Sequence, residues 1–227
     1  MPFMSLLFIL LLLSGCGGFR GGIESVPSIS ETTIQGELSR PSWGHDIELS
    51  DFSLTLSLNN AVQTYQYEVM LFFIPTYFNF AENFRNRQAD SLELTLQLTP
   101  GDSPITFDPR HLRLIVEGHE VRPSQVWVNN REKERQAFEA YAKARGQTPS
   151  NQALPFPQAS AWRETIADAI TVRPGDKSPL LYMAFPLPLL SPETGLVLDL
   201  SQSIIGPARN PVALIRFKPV CWSEGYS

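Results

Sequence analysis

One cysteine near the start of the chain stands in a setting that points to covalent chemistry. Residues 6–13 form an uninterrupted apolar run of eight, and the small residues Ser14 and Gly15 separate this run from Cys16. The run is too short to cross a bilayer, which takes about 20 residues in a helix. Its length is typical of a secretory signal, in which small residues precede the cleavage site. We therefore expect residues 1–15 to be removed as a signal peptide.

The segment Leu13-Ser14-Gly15-Cys16 resembles the lipobox of bacterial lipoproteins. The resemblance implies cleavage just before Cys16, a diacylglyceryl group on its sulfur and, often, acylation of the new amine. Two or three acyl chains hold a protein firmly, because each buried CH₂ contributes ~0.8 kcal/mol and one chain alone is marginal. The alternative is an N-terminal strand or helix that is buried in the domain, and no Lys or Arg precedes the apolar run.

No other residue pattern defines an active site. The chain lacks the Gly-x-Ser-x-Gly nucleophile motif and the His-Glu-x-x-His zinc motif. Its histidines are His45, His111 and His119. The last two flank a predicted turn near Asp108 and Glu117, so a weak metal site is an alternative to two surface histidines. We predict no catalytic residue, no metal and no cofactor; the alternative is an envelope hydrolase whose site is assembled from distant residues.

Residues 65–84 are the best candidate for a binding surface. The segment holds eight of the 24 aromatic residues of the chain, interleaved with amides and charged side chains. Such a mixture suits a protein or sugar partner. The alternative is a strand whose end is buried in the core. The candidate binding residues are Tyr77, Phe78, Phe80 and Phe84.

Composition places the chain among globular proteins and argues against a nucleic-acid partner. Of 227 residues, 43% are hydrophobic and 18% are charged, which suits a folded domain. The net charge of −5 does not provide the basic face that nucleic acid requires. There are two cysteines, so a lipid on Cys16 leaves Cys221 without a partner in the chain. We expect Cys221 to be buried as a small hydrophobic residue; a reactive thiol or an intermolecular disulfide are the alternatives.

Residues 17–46 are predicted to be a flexible tether. The stretch is rich in glycine and serine and shows no sustained periodicity. A flexible chain of about 30 residues has an end-to-end distance of ~30 Å, which would hold the domain clear of a membrane. The alternative is that part of it, such as residues 34–38, lies along the domain as an edge strand.

Alternating apolar and polar residues predict strands in the remaining chain. Residues 52–58 and 92–98 have the period of two that is typical of a half-buried strand. A hairpin turn is predicted at Glu117-Gly118-His119, joining two of the shorter strands. The other predicted strands are residues 65–74, 105–107, 112–116, 126–128, 180–185, 196–200 and 212–217.

A helical insert is predicted between the strands, over residues 129–169. Asn130 is suited to cap the first helix of this insert and Gly146 to end it. We expect this helix to lie on the surface and to touch the domain through Phe138 and Tyr141. A short second helix is predicted from three apolar residues spaced by four positions, Trp162, Ile166 and Ile170.

These patterns predict a mainly β protein, an antiparallel β-sandwich of the immunoglobulin-like kind with a small helical insert. The segment Thr171-Val172-Arg173-Pro174-Gly175-Asp176 resembles segments in immunoglobulin-like domains of bacterial surface proteins. The predicted organisation is a signal peptide over 1–15, a lipidated N-terminus and tether over 16–46, and the sandwich over 47–227.

The predicted function is that of an envelope lipoprotein that binds or supports another envelope component. Its expected partners are the membrane, through the N-terminal lipid, and an envelope protein or glycan. Confinement at a membrane would raise its effective concentration near such partners. Gly17 after the cysteine resembles the pattern that directs lipoproteins to the outer membrane, facing the periplasm, if the source has two membranes.

Overall fold

The fold is known from a computed structural model that describes residues 18–29, 38, 44–49, 51–69, 75–83, 91–147, 162–206 and 214–226. Over these residues the chain forms sixteen strands, a 3-10 turn (Pro109–His111) and the helix α1 (Arg131–Gln147). The strands are β1 (Gly18–Ser28), β2 (His45–Glu48), β3 (Phe52–Leu58), β4 (Val62–Val69), β5 (Pro75–Asn83), β6 (Glu93–Pro100), β7 (Ile105–Phe107), β8 (Arg113–Val116), β9 (His119–Val121), β10 (Gln125–Asn129), β11 (Arg163–Thr165), β12 (Ile170–Val172), β13 (Leu180–Ala184), β14 (Leu196–Asp199), β15 (Ile204–Ile205) and β16 (Leu214–Tyr226).

The strands form three sheets, in which neighbouring strands are antiparallel. The seven-stranded sheet has the order β5-β4-β1-β16-β14-β8-β9, and the six-stranded sheet has the order β11-β10-β13-β6-β3-β2. A small sheet of β12-β7-β15 completes the set. The predicted fold class, a mainly β antiparallel sandwich with a small helical insert, is confirmed.

Alternating side chains of both large sheets build one hydrophobic core. Leu56 and Leu96 come from the six-stranded sheet, Leu198 and Ile215 from the seven-stranded sheet, and all four are fully buried. Phe107 adds the small sheet to the same core. Burying a leucine or isoleucine side chain contributes about 1.5–3 kcal/mol, so the period of two in these strands is the main stabilising pattern.

The predicted tether is wrong over its first part, because residues 18–28 form a strand inside the seven-stranded sheet. β1 pairs with β16 along its whole length, from Gly18 opposite Tyr226 to Ser28 opposite Arg216. Its first half also pairs with β4 on the other side. Further on, Leu38 forms an isolated parallel bridge to Trp222, whereas residues 34–37 lie outside the described residues.

The strand β16 continues well past its neighbour β14. Only residues 214–217 pair with β14, and residues 218–226 run on beside β1. We call β5, β4, β1 and residues 218–226 of β16 the ribbon. At ~3.3 Å per residue the nine residues 218–226 extend by ~30 Å beyond the last pair with β14.

The predicted first helix is confirmed, and the predicted second helix is wrong. The side chain of Asn130 accepts a hydrogen bond from the backbone N–H of Lys133 at 3.0 Å, as expected of a helix cap. The Phe138 ring lies 5.5 Å from the Trp162 ring, which ties α1 to the domain. The chain after Trp162 forms β11 and β12 rather than a helix, so the insert ends earlier than predicted. Gly146 lies inside α1, which runs to Gln147.

The predicted hairpin turn is confirmed, but one of its two strands is not the predicted one. Glu117 and Gly118 both have positive φ, at 50° and 86°, as a two-residue type I′ turn requires. The turn joins β8 to β9. The predicted strand over residues 126–128 exists as β10, but β10 belongs to the six-stranded sheet.

Replacing Gly22 tests whether β1 is part of the fold. A Cβ at this position would collide with the carbonyl oxygen of Val62 on β4. We expect Gly22→Ala to lower the free energy of unfolding by about 1–3 kcal/mol, seen as a lower urea midpoint. Gly195→Ala is the matched control, because an added Cβ there meets nothing within 4 Å. Equal midpoints for the two variants would contradict the pairing of β1.

Candidate functional site

The ribbon ends next to the predicted site of lipid attachment. Gly18 on β1 lies opposite Tyr226 on β16 and opposite Glu68 on β4, and Glu68 lies opposite Thr76 on β5. One row of the sheet therefore contains the ends of four strands. Cys16 lies outside the described residues, two positions before Gly18. Because a residue spans at most about 3.6 Å, the Cα of Cys16 is within ~7 Å of the Cα of Gly18.

Two glycines in β1 allow three strands to pack closely at this end of the ribbon. The register between β1 and β4 shifts between Gly21 and Gly22. A Cβ on Gly21 would collide with the hydroxyl of Tyr65 and lie 2.6 Å from the carbonyl oxygen of Trp222. The glycines that suggested a flexible tether thus serve close contact between paired strands.

An aromatic face lies on one side of the ribbon at this end. Phe19 is 59% exposed, and Tyr67 lies opposite it on β4. Tyr65 lies opposite Gly21, two positions along, and both tyrosines are half-buried. Side chains opposite each other or two positions apart share one face of a sheet. We call Phe19, Tyr65 and Tyr67 the tip aromatics.

Arg20, the residue after Phe19 on β1, forms an ion pair with Glu224 on β16. Arg20 Nη2 donates to Glu224 Oε2 at 2.9 Å, and Arg20 Nε donates to the same oxygen at 3.1 Å. Because successive residues of a strand point to opposite faces, this ion pair lies on the other side of the ribbon from the tip aromatics. This pairing neutralises the Arg20 charge on the face opposite the tip aromatics.

Three of the four predicted binding residues lie in the part of the chain that the structure describes. Tyr77, Phe78 and Phe80 lie on β5, the last strand of the seven-stranded sheet over the described residues. Tyr77 lies opposite Tyr67, and Phe78 lies opposite Gln66. Phe84 lies outside the described residues. Tyr65 and Tyr67, at the start of the segment, are half-buried. The alternative, a strand whose end is buried in the core, stays a prediction, because the burial of that end lies outside the described residues.

Cys221 is exposed, so its predicted burial is wrong. It lies on β16 opposite Ile23, five positions along β1 from Gly18. Five residues of strand span ~17 Å, and Cys16 reaches at most ~7 Å from Gly18. The two cysteine Cα atoms therefore stay about 10 Å apart or more, beyond the ~7 Å limit for a disulfide. Cys16 and Cys221 cannot be bridged within one chain.

A polar groove lies on the outer face of the six-stranded sheet. Its volume is ≈ 380 Å³, and half of its eight lining residues carry a hydroxyl or amide side chain, beside Gly44 and two leucines. Asp46 supplies a carboxylate, and its Oδ1 accepts a hydrogen bond from the Thr55 hydroxyl at 2.6 Å. The residues that line the groove come from β2, β3, β6 and β13 and include Asp46, Thr55, Ser57, Thr95, Gln97 and Leu180.

An arginine that stacks on an aromatic ring continues this outer face. The guanidinium of Arg163 lies 3.8 Å from the centre of the Tyr182 ring and donates to Glu93 at 2.6 Å. Burial raises the pKa of Tyr182. Tyr182 lies opposite Thr95, which lines the groove, so the cluster and the groove are adjacent. Sequence analysis missed both, because neighbours in the sheet come from distant parts of the chain.

His111 lies on the 3-10 turn that the Asp108 carboxylate caps. Asp108 is buried, and it accepts hydrogen bonds from the Arg110 side chain at 2.8 and 2.9 Å and from His111 Nδ1 at 3.1 Å. The Arg110 guanidinium holds the pKa of Asp108 well below its usual range. His119 is exposed on β9. Over the described residues, no three His, Cys, Asp or Glu side chains converge as a metal ion requires.

No family model, curated protein or solved structure matches the chain. No helix within the described ranges is long and apolar enough to cross a membrane. The surfaces that carry a functional argument are the ribbon end with its tip aromatics and the polar groove.

The low pKa of Asp108 predicts a pH dependence of stability. A carboxylate with a lowered pKa stabilises the folded state above its unfolded pKa of about 3.9, and this contribution is lost as the pH falls below it. We expect Asp108→Asn to lower the melting temperature at pH 7 and to flatten its fall between about pH 5 and pH 2. Asp102→Asn, at an exposed carboxylate, is the control. The same pH profile for both variants would contradict this role of Asp108.

Proposed function

We propose that this protein is a bacterial envelope lipoprotein, which lipid on Cys16 holds on a membrane and whose domain binds or supports another envelope component. One observation carries the proposal. The lipobox-like segment ends at Cys16, and the first described strand begins two positions later, at Gly18. Cleavage before Cys16 would remove residues 1–15 and would leave every described strand intact.

The geometry of the cysteines supports lipid on Cys16. A disulfide with Cys221 would consume the sulfur that the lipid requires, and the pairing of β1 with β16 keeps the two residues too far apart for it. The Cys16 sulfur therefore has no competing partner within its own chain. Acylation, which needs a free thiol, is compatible with the folded domain.

The position of β1 sets the distance between the membrane and the rest of the domain. Glu24 lies six positions after Gly18, or ~20 Å along the strand, and binds His45 Nε2 at 3.2 Å. His45 precedes Asp46 of the polar groove. The length of β1 from Gly18 to Glu24 therefore fixes the edge of the groove at ~20 Å along the strand from the anchored end, so a lipid at Cys16 would keep the groove close to the membrane. The proposed location is the outer membrane, facing the periplasm, in a source with two membranes.

The polar groove is the surface that we propose for a partner. Its hydroxyl and amide groups and the Asp46 carboxylate offer several hydrogen bonds, as an envelope protein or a glycan requires. Anchoring would confine this surface to a thin layer next to the membrane. Confinement raises the effective concentration of the domain for partners that are themselves bound to the envelope, without any additional contact.

Serine at position 16 tests the anchor directly. Cys16→Ser removes the sulfur, so we expect the protein to lose palmitate labelling and to move from the membrane fraction to the soluble fraction. Cys221→Ser is the matched control, because it removes the other cysteine, and we expect it to keep both the label and the membrane location. Unchanged labelling of Cys16→Ser would contradict the proposal.

A further inference from the structure

Only Gly17 separates Cys16 from the first residue of β1. If Cys16 carries lipid, the end of the ribbon therefore lies at the membrane interface. Phe19 follows Cys16 by three positions, so its Cα lies within ~10 Å of the Cα of Cys16. The polar headgroup layer on each side of a bilayer is about 5–7 Å thick, and interfacial segments bury their apolar faces by about 5–10 Å. Phe19 therefore cannot leave the neighbourhood of this layer while Cys16 is anchored.

The residues at this end of the ribbon suit such an environment. Phe19 is 59% exposed, a large apolar surface to leave in water. Tyr65 and Tyr67 lie on the same face and are half-buried. Tyrosine is enriched at the headgroup layer because its ring has an apolar body and a polar tip. Phenylalanine is typical of the apolar face that interfacial segments bury in the bilayer.

The ring of Phe19 has a defined position on this face. A Cβ added at Gly225 would lie 3.3 Å from its Cε1 atom, so the ring lies across a glycine of β16. The position of Phe19 is thus set by the paired strands. A rigid strand loses little conformational entropy when its side chain enters a new environment.

The charge beside Phe19 does not oppose insertion of the aromatic face. Arg20 is paired with Glu224 on the opposite face of the ribbon. An unpaired charge would have to be taken out of water at a large cost. The pairing leaves the face that carries Phe19, Tyr65 and Tyr67 free of this penalty.

The five residues between β4 and β5, which lie outside the described residues, are apolar in sequence. Val69 on β4 lies opposite Pro75 on β5, one row beyond Glu68 and Thr76. The five residues that join them are Met70, Leu71, Phe72, Phe73 and Ile74. Both ends of this connection are in the part of the sheet nearest to Cys16.

We infer that the ribbon end is a membrane-binding surface, whose tip aromatics Phe19, Tyr65 and Tyr67 lie in the interface of the bilayer that holds the lipid. The inference rests on the proposed function, because the lipid on Cys16 brings this surface to the membrane. The three side chains share one face, so the ribbon tilts with that face toward the bilayer. The domain then has one orientation on the membrane instead of a range of orientations.

Spin labels on the lipidated protein test the inference. Phe19→Cys and Ile205→Cys are each made in a Cys221→Ser background, and the introduced thiol is labelled with a nitroxide. Ile205 is the matched control, because it is also 59% exposed and lies on the small sheet. The protein is placed in nanodiscs of phosphatidylethanolamine and phosphatidylglycerol, and collision of the label with oxygen is compared with collision with a water-soluble nickel complex.

We expect the ratio of oxygen to nickel collisions to be several-fold higher at position 19 than at position 205. Equal, water-like ratios would overturn the inference. The intact mass of the same samples shows whether the protein carries acyl chains, and so distinguishes failure of the membrane-binding surface from failure of the proposed function. Equal ratios in a protein that carries acyl chains overturn the membrane-binding surface alone, whereas a protein without acyl chains overturns both this surface and the proposed function.

The substitution of Phe19 by serine gives a second readout that needs no label. We expect Phe19→Ser to make the lipidated protein exchange between vesicles several-fold faster, with an unchanged melting temperature because the side chain is exposed. Ile205→Ser is expected to change neither quantity. Equal exchange rates for the two variants would also overturn the inference.

Discussion

The pairing of β1 with β16 is the constraint on which the arrangement of this protein depends. It joins the two ends of the described chain over eleven consecutive residue pairs. β4 pairs with β1 on its other side, and β5 pairs only with β4 over the described residues. Over the described residues, β1 is therefore the strand through which β4 and β5 join β16 and the rest of the seven-stranded sheet. Gly21 and Gly22 permit the close approach of β4, because a side chain at either position would collide with Tyr65 or Val62 on that strand.

The same constraint decides how an anchored domain would meet a membrane. A flexible linker would give the domain a long reach and free rotation. A paired strand that begins two positions after Cys16 gives neither. The sheet itself then becomes the spacer, which sets both the distance of the polar groove from the anchored residue and the face that the ribbon turns to the bilayer. The proposed anchoring of the domain and its orientation on the membrane would then both depend on β1.

Much of the fold is predictable from the sequence where one side of a strand or helix is buried and the other side is exposed to solvent. The alternation over residues 52–58 predicts β3, because one row of side chains enters the core. Asn130 predicts the start of α1, because its side chain satisfies a backbone N–H of the first turn. β1 does not follow this rule. Its glycines serve close packing, and residues 24–27 are buried in succession, so no alternation is visible.

The errors elsewhere have related physical causes. Trp162, Ile166 and Ile170 have helical spacing, but each makes a separate contact. Trp162 packs on Phe138, and the backbone N–H of Ile166 bonds to the carbonyl oxygen of Val126. The polar groove was not predictable, because strand order in the sheet brings together residues that are far apart in sequence. The proposed lipidation of Cys16 differs in kind, since it is a prediction from the immediate neighbours of Cys16 alone.

Hydrogen exchange of the backbone amides in β1 measures whether this strand is paired with β16 in solution. We expect the hydrogen-bonded amides of Gly18–Ser28 to be protected to the same degree as those of the paired residues in β16, since both strands open together. Exchange of the Gly18–Ser28 amides at the rate of an unstructured peptide, with β16 still protected, would contradict it.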